Sequence, residues 1–405
     1  MQSTQPADIA IIGGGIVGSA LAYYLSQNRH ENKKIILLDR SLTPLNGSTG
    51  HAPGFVGQYN DSAILTRLAR DTVQEYTKIP GGFDTIGGLE LATSQTGAER
   101  LQRRHDSASA AGLPAKLISP EEAARMAPAL IKKEDVTSAL HFASDGAANA
   151  TRITTFYQDE ARSKGVECLE VDVTGIHKDG NGRVDGVNTA TAGFIPARTV
   201  ILATGIWAPE LLPDINIPIP IVPVAHPYMY GPYHAQKKIP TPWIRWPDHH
   251  VYARDHGPFY GLGSYNHAPV AQEPKDTAIG EWITEFDDTL EHALGFIPSE
   301  TGLTPRETFN GIFSMTPDNL PLVGEIPGFE GVYLAAAVWV THAAGVARFL
   351  CDVLEGREVD GEVKGGLDPG RFGGKDEEKL KEVALGGYNE IYRILAPIGD
   401  IDITR

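Results

Sequence analysis

The stretch "DIAIIGGGIVGSALAYYLSQN", residues 8–28, decides the fold. Ile9, Ile11 and Ile12 form a short β-branched run, and Gly13, Gly15 and Gly18 follow as G-x-G-x-x-G. Beyond them Ile16, Ala20 and Leu21 fall on one side of a helix. The pattern predicts strand, tight turn and helix. One glycine makes the turn, one lets backbone approach a pyrophosphate, and one lets helix lie against strand. The helix start offers unbonded N–H groups and the positive end of its dipole to phosphates. "KKIILLDR", residues 33–40, reads as the next buried parallel strand. It ends at Asp39, which can accept hydrogen bonds from a ribose. A glycine turn that served packing alone would leave Asp39 unexplained. The whole unit predicts dinucleotide binding without separating FAD from a nicotinamide dinucleotide.

"RTVILATGIWAPELL", residues 198–212, tips that choice. A late strand running into Ala203, Thr204 and Gly205 is common in flavoproteins of this fold, where it returns beside the first strand. Between these landmarks, Ile64, Leu65, Leu68, Val73 and Tyr76 recur at helical spacing. "SPEEAARMA" starts a helix, with Ser119 as cap, Pro120 in the first turn and Glu122 able to close a capping box. "GVECLEVDVTGIHKDGNGRVDGVNTA" predicts a strand and then a hairpin turning at Asp179, Gly180, Asn181 and Gly182. From about residue 216 the chain becomes aromatic, Pro-rich and strand-like, as in "IPIPIVPVAHPYMYGPYH". Helical and α/β character returns near residue 327, and "EEKLKEVALGGYNEIYRIL" reads as one or two helices. The expected fold class is α/β: a Rossmann-like FAD-binding domain with an inserted, largely antiparallel β (α+β) substrate domain. The discontinuous FAD-binding domain takes residues 1–85, 145–215 and 310–405, and the substrate domain 86–144 and 216–309.

Composition narrows the function classes. A chain of 405 residues can bury a large core. A net charge of −16 argues against nucleic acid and against an anionic membrane surface. Two cysteines, Cys168 and Cys351, are too few for a disulfide framework. No basic segment followed by an apolar one opens the chain, and the run "LAAAVWV" is too short to span a bilayer, so a cytoplasmic location is expected. His249, His250 and His256 have no metal-ligand spacing and no accompanying acidic cluster, so no metal is expected.

The chain resembles the D-amino-acid-oxidase-like FAD superfamily, and within it the group of dimethylglycine oxidase, dimethylglycine dehydrogenase and sarcosine dehydrogenase. The resemblance rests on "GSTGHAPGFV", "VAHPYMY", "VYARDHGPFYGLGSYNHAPV", "FNGIFSMTPDNLPLVGE" and "YLAAAVWVTHAAGVA", and it covers essentially the whole chain. It implies that His51, in a glycine-rich stretch where a histidine is ordinarily solvated or merely packed, carries the flavin covalently at its 8α-methyl carbon. A neutral imidazole nitrogen is a suitable nucleophile for that carbon. It also implies that His226 and Tyr252 line the substrate pocket, whereas the residues alone leave His226 a core histidine and Tyr252 a core aromatic as alternatives. The turn at Val340, Thr341 and His342 would set a helix N-terminus against the flavin, stabilising its anionic reduced form. The full set of expected cofactor contacts is Gly13, Gly15, Ile16, Val17, Gly18, Asp39, Arg40, Ser48, Thr49, His51, Ala52, Val173, Ala203, Gly205, Trp207, Val340, Thr341 and His342. Arg254, two residues beyond Tyr252 and so on the same side of a strand, is the candidate cation for a substrate carboxylate. Monomeric sarcosine oxidases attach flavin through a cysteine seven residues before the aspartate of "TPD"; here that position is Gly311, which disfavours that subgroup.

The implied activity is oxidative N-demethylation of an N-methyl amino acid, N,N-dimethylglycine or sarcosine first, with O2 as acceptor. The products are the demethylated amine, formaldehyde and hydrogen peroxide. No folate-binding half is expected with this sequence, so formaldehyde is expected to be released or passed to a separate tetrahydrofolate-dependent protein. Three alternatives stay open: oxidation of another secondary, tertiary or D-amino acid; a nicotinamide dehydrogenase; and a flavin subunit of a hetero-oligomeric amine oxidase.

Overall fold

A computed structural model describes residues 5–27, 33–213, 215–235, 237 and 239–391. Its first sheet begins with the strand Ala7–Ile12, the helix Ile16–Ser26 and the strand Ile35–Asp39, in the order the glycine motif dictates. Five parallel strands lie side by side: Glu167–Glu170, Ile35–Asp39, Ala7–Ile12, Gly193–Leu202 and Val332–Ala336. The strand ending at Leu202 therefore does return beside the first one. The hairpin Val173–Lys178 and Val184–Thr189 extends this sheet on one side, and Leu322–Glu325 pairs antiparallel with Val332–Ala336.

Alternation along each strand sorts its side chains onto two faces. Ile9, Ile11, Ile35 and Leu37 pack with the helices Ile16–Ser26, Ala150–Ser163 and Ala343–Leu354. Ala10, Ile12, Ile36 and Leu38 face the opposite way, onto Val187, Leu212 and Phe372. Both faces are dry, which is why these strands read as unbroken apolar runs.

A nine-stranded sheet faces the first across the molecule. Its order is Ile279–Gly280, Glu307–Met315, Val222–Tyr233, Phe259–Ser264, Val251–Asp255, Trp243–Trp246, Gly88–Ala92, Ser138–Phe142 and Ala115–Ile118. The same two-residue period divides it. Leu89, Leu91, Ile244, Trp246, Val251 and Ala253 form the back, packed against helix Glu285–Leu294 and the segment around helix Pro120–Met126. Their sequence neighbours Glu90, Arg245 and Tyr252 therefore point to the front, toward the first sheet. Ser119 caps its helix as expected, its hydroxyl accepting the Glu122 N–H at 3.2 Å. The segment at residues 377–391 is a helix, Glu377–Gly386, and a 3-10 turn, Gly387–Glu390; residues 392–395 of that expectation lie outside the described residues.

Candidate active site

The two sheets enclose a cavity of about 530 Å³, within the range of small-molecule and cofactor sites. Nearly all of the expected contact residues line it: Gly13, Gly15, Ile16, Val17, Asp39, Arg40, Ser48, Thr49, His51, Ala52, Val173, Ala203, Gly205, Trp207, His226, Tyr252, Val340, Thr341 and His342. Gly18 and Arg254 do not. Gly18 serves packing, because a Cβ there would come within 1.8 Å of the Gly13 carbonyl oxygen.

At one end the glycine turn leaves a cradle. Gly13 has φ of +106°, and any Cβ on it would strike the Ala203 carbonyl at 2.4 Å. Asp39 closes the turn: one carboxylate oxygen accepts the Gly14 N–H at 2.5 Å and the other the Ser41 N–H at 2.9 Å. Burial raises its pKa, and those two N–H bonds oppose the rise. The first helical amide, Ile16 N–H, donates to the Thr49 hydroxyl at 3.1 Å. Arg40 stacks over the Trp207 ring at 4.7 Å, and the Trp207 indole N–H donates to the Lys275 carbonyl. A dinucleotide finds here what it needs: a turn no side chain obstructs, a helix N-terminus, and an acid facing the cavity.

In the middle of the cavity sits the glycine-rich stretch, whose local structure the sequence did not reveal. Ser48–His51 is a single helical turn, followed by Ala52 in an extended conformation. Its last residue, His51, is half-buried. A bond to the Asn46 backbone supports the imidazole, burial lowers its pKa, and its Nε2 is buried without a hydrogen-bond partner among the described residues. A buried ring nitrogen with no partner is costly, and it fits a site that a bound flavin completes. Opposite, Thr341 donates to the Phe55 carbonyl at 3.2 Å, and His342 is buried and neutral, its pKa pushed to about 3. These residues immediately precede helix Ala343–Leu354.

At the other end the nine-stranded sheet brings His226 and Tyr252 together. His226 is 3 % exposed. Its Nε2 lies 2.8 Å from the Tyr252 hydroxyl and its Nδ1 2.6 Å from the Tyr388 hydroxyl. Burial, reinforced by the nearby His267, holds its pKa well below the ordinary value, so the ring is neutral. Arg254 is turned elsewhere: its guanidinium donates to the Pro53 carbonyl. Arg40, Arg104 and Arg245 line the cavity, and of these Arg245 lies directly opposite Tyr252 in the strand register. Arg245 pairs with the buried Glu90, as does Arg104 at 2.8 Å. Burial pushes Glu90 up, but Arg104 and Arg245 outweigh it and hold the carboxyl below its ordinary value. Asp145, also lining the cavity, is pushed up by burial to about 7. The clue to these residues was present in "GLELA" and "WIRW": a single charge inside an apolar strand is rarely buried without a partner or a purpose.

Comparison with known proteins agrees with this geometry. Residues 8–353 match the DAO family, described as FAD dependent oxidoreductase. Human mitochondrial dimethylglycine dehydrogenase is 27% identical over 400 residues, covering 91% of this chain and 44% of that protein. Human mitochondrial sarcosine dehydrogenase is 26% identical over 348 residues, covering 81% of this chain and 37% of that protein. The chain thus spans less than half the length of these two relatives. Glycine oxidase of Geobacillus kaustophilus is 25% identical over 349 residues, covering 82% and 88% of the two chains. The solved structure of L-proline dehydrogenase from P. horikoshii superposes with a TM-score of 0.81 at 23% identity, covering 91% of this chain and 98% of that one. Glycine turn, acid-ended second strand, returning late strand and family match lead to one conclusion: this chain belongs to the DAO family of FAD-dependent oxidoreductases.

Proposed function

We propose that this protein catalyses oxidative N-demethylation of an N-methyl amino acid, with N,N-dimethylglycine or sarcosine as substrate. Amine, water and O2 would give the demethylated amine, formaldehyde and hydrogen peroxide. The observation that carries the reading is the Tyr252–His226 pair, bonded at 2.8 Å and opening on the same cavity as His51. FAD supplies, when bound, a two-electron acceptor for the hydride leaving the N-methyl carbon. Everything else falls to side chains. The substrate nitrogen must lose its proton so that its lone pair can assist C–H cleavage, and in this reading Tyr252, backed by neutral His226, takes it. Arg245, across the strand pair from Tyr252, is the candidate for the substrate carboxylate. Apolar and aromatic walls, among them Phe313, Trp339 and Tyr265, limit water around the reacting carbon.

His51 is proposed as the covalent attachment point, through the Nε2 that has no hydrogen-bond partner among the described residues. The glycine turn and Asp39 would hold the adenosine diphosphate part, and the Val340, Thr341 and His342 turn would face the flavin. The names of the two dehydrogenase relatives support the N-methylglycine class. Coverage of most of glycine oxidase supports a second reading, oxidation of a different amino acid on the same machinery.

Anaerobic mixing with N,N-dimethylglycine and then sarcosine, following the long-wavelength flavin absorbance, tests the proposal. Bleaching, and recovery on admitting air, is the expected result. Colour unchanged by both amines, with bleaching by glycine or a cyclic amino acid, would transfer the assignment to the second reading.

A further inference from the structure

Behind His226 the hydrogen bonds do not stop. Nδ1 of His226 meets the Tyr388 hydroxyl at 2.6 Å, and that hydroxyl meets Nε2 of His267 at 3.0 Å. Nδ1 of His267 in turn lies 2.8 Å from the Ala268 carbonyl. His267 is half-buried and lines a second cavity, away from the first, with Glu285, Asp288, Thr289 and His292. The 3-10 turn bearing Tyr388 is fastened there by Asn389, whose amide donates to the Tyr265 and His267 carbonyls at 2.5 and 3.0 Å.

The carbonyl fixes the direction of the whole series. A carbonyl only accepts, so His267 carries its proton on Nδ1 and offers a lone pair at Nε2. Tyr388 O–H must then donate to His267 and accept from His226 Nδ1–H. That leaves a lone pair on His226 Nε2, to which Tyr252 O–H donates. Every donor points away from the active-site cavity.

We propose that Tyr252, His226, Tyr388 and His267 form a proton-exit wire from the substrate nitrogen to the second cavity. The inference rests on the amine-oxidation reading of the site. The proton leaving the substrate ammonium joins Tyr252 Oη as the tyrosine's own proton passes to His226 Nε2. His226 Nδ1–H passes to Tyr388 Oη, and the Tyr388 proton passes to His267 Nε2. Four N–H or O–H bonds break and four form, no electrons change hands, and one positive charge moves from the substrate to His267.

His226 is a conduit and not a resting place. Tyr252, Tyr265, Phe313 and Tyr388 surround it with ring centroids 4.6–6.0 Å away, and burial keeps the ring neutral. At His267 the surroundings change. The Phe286 ring is 4.8 Å off on one side, while Glu285 and Asp288 share the second cavity with it. Burial lowers the His267 pKa as well, opposed by its bond to the Ala268 carbonyl, so an imidazolium formed there is short-lived and hands its proton on to water.

The first measurement needs no substrate. In holoenzyme labelled with 15N-histidine, long-range proton–nitrogen correlation at neutral pH reports which ring nitrogen carries the proton. His226 and His267 should both carry it on Nδ1, the less common form of free histidine. A proton on Nε2 of either ring reverses the wire and overturns the proposal. The second measurement is anaerobic flavin reduction by N,N-dimethylglycine in Tyr388→Phe and His267→Ala. His267 does not line the substrate cavity, so half-saturation should hold while the limiting rate falls about ten-fold or more. Added imidazole should restore His267→Ala and leave Tyr388→Phe unrestored. Wild-type reduction rates in both variants would overturn the wire. Failure of the amine to bleach the wild type would instead remove the demethylation reading, and the tautomers alone would then decide the wire.

Discussion

At the scale of single residues, the site is defined by side chains that something else must complete. His51 has one ring nitrogen supported by the Asn46 backbone and the other buried without a partner among the described residues. His51→Ala should therefore lose acid-stable flavin while the glycine turn still binds FAD reversibly. The check is the colour of acid-precipitated protein: a variant pellet as yellow as the wild type would show that His51 makes no covalent link. Arg245 is the second case. Arg245→Met should raise KM for N,N-dimethylglycine about ten- to hundred-fold, the loss expected for one charge-assisted hydrogen bond. It should also destabilise the fold by about 3 kcal/mol, because Glu90 is left with Arg104 alone in a buried setting. If steady-state kinetics show KM unchanged while the urea midpoint falls, Arg245 only secures Glu90.

At the scale of elements, what was legible in the sequence was what local chemistry fixes. The first strand, turn and helix were readable because glycine geometry and apolar periodicity act within a few residues. Gly18→Ala tests that element directly. Its Cβ would meet the Gly13 carbonyl, backbone against backbone, with no flexible side chain to yield. The helix must shift off the strand, and the variant should purify with little flavin and a lowered melting temperature; full flavin content would mean that the helix has room the packing denies. Strand register, by contrast, was not readable. Alternation alone suggested that Arg254 follows Tyr252 toward the substrate, yet the arginine that lines the cavity beside Tyr252 is Arg245, set opposite it on a neighbouring strand. Cross-strand neighbours share a face as surely as i, i+2 neighbours do, but only pairing reveals them. The helical turn Ser48–His51 was hidden for another reason: four residues, one of them Gly50, are too few to carry a period. His226 and Tyr252 were within reach, because the quoted blocks pointed to them, whereas Tyr388 and His267 come from distant segments that meet only in the fold.

At the scale of the whole molecule, enclosing so many ionisable groups between two sheets makes stability depend on pH in two opposing ways. His226 and His342 are buried and His256 half-buried, and all three are neutral, with His256 and His342 pushed to about 3. The unfolded chain protonates such groups below about 6.5, so they lose the fold stability as the pH drops through that value. Asp145 has the reverse sign. Burial raises it from 3.8 to about 7, so between those values the folded chain keeps a proton that the unfolded chain has released. Its effect is greatest stability at low pH, falling as pH rises toward 7 and constant above. Asp145→Asn isolates this contribution, since the amide oxygen can still accept the Gln58 N–H that the carboxylate accepts at 2.9 Å. The histidines act equally in both proteins and cancel from the difference. With flavin content matched, the variant's advantage over the wild type in urea unfolding should widen from pH 5 to pH 8, opening a further gap. The gap should be at least about 1 kcal/mol, roughly one pKa unit's worth. Equal differences at both pH values would mean that Asp145 is ionised in the folded protein, and that Arg104 and Arg245 reach it more strongly than its burial opposes them.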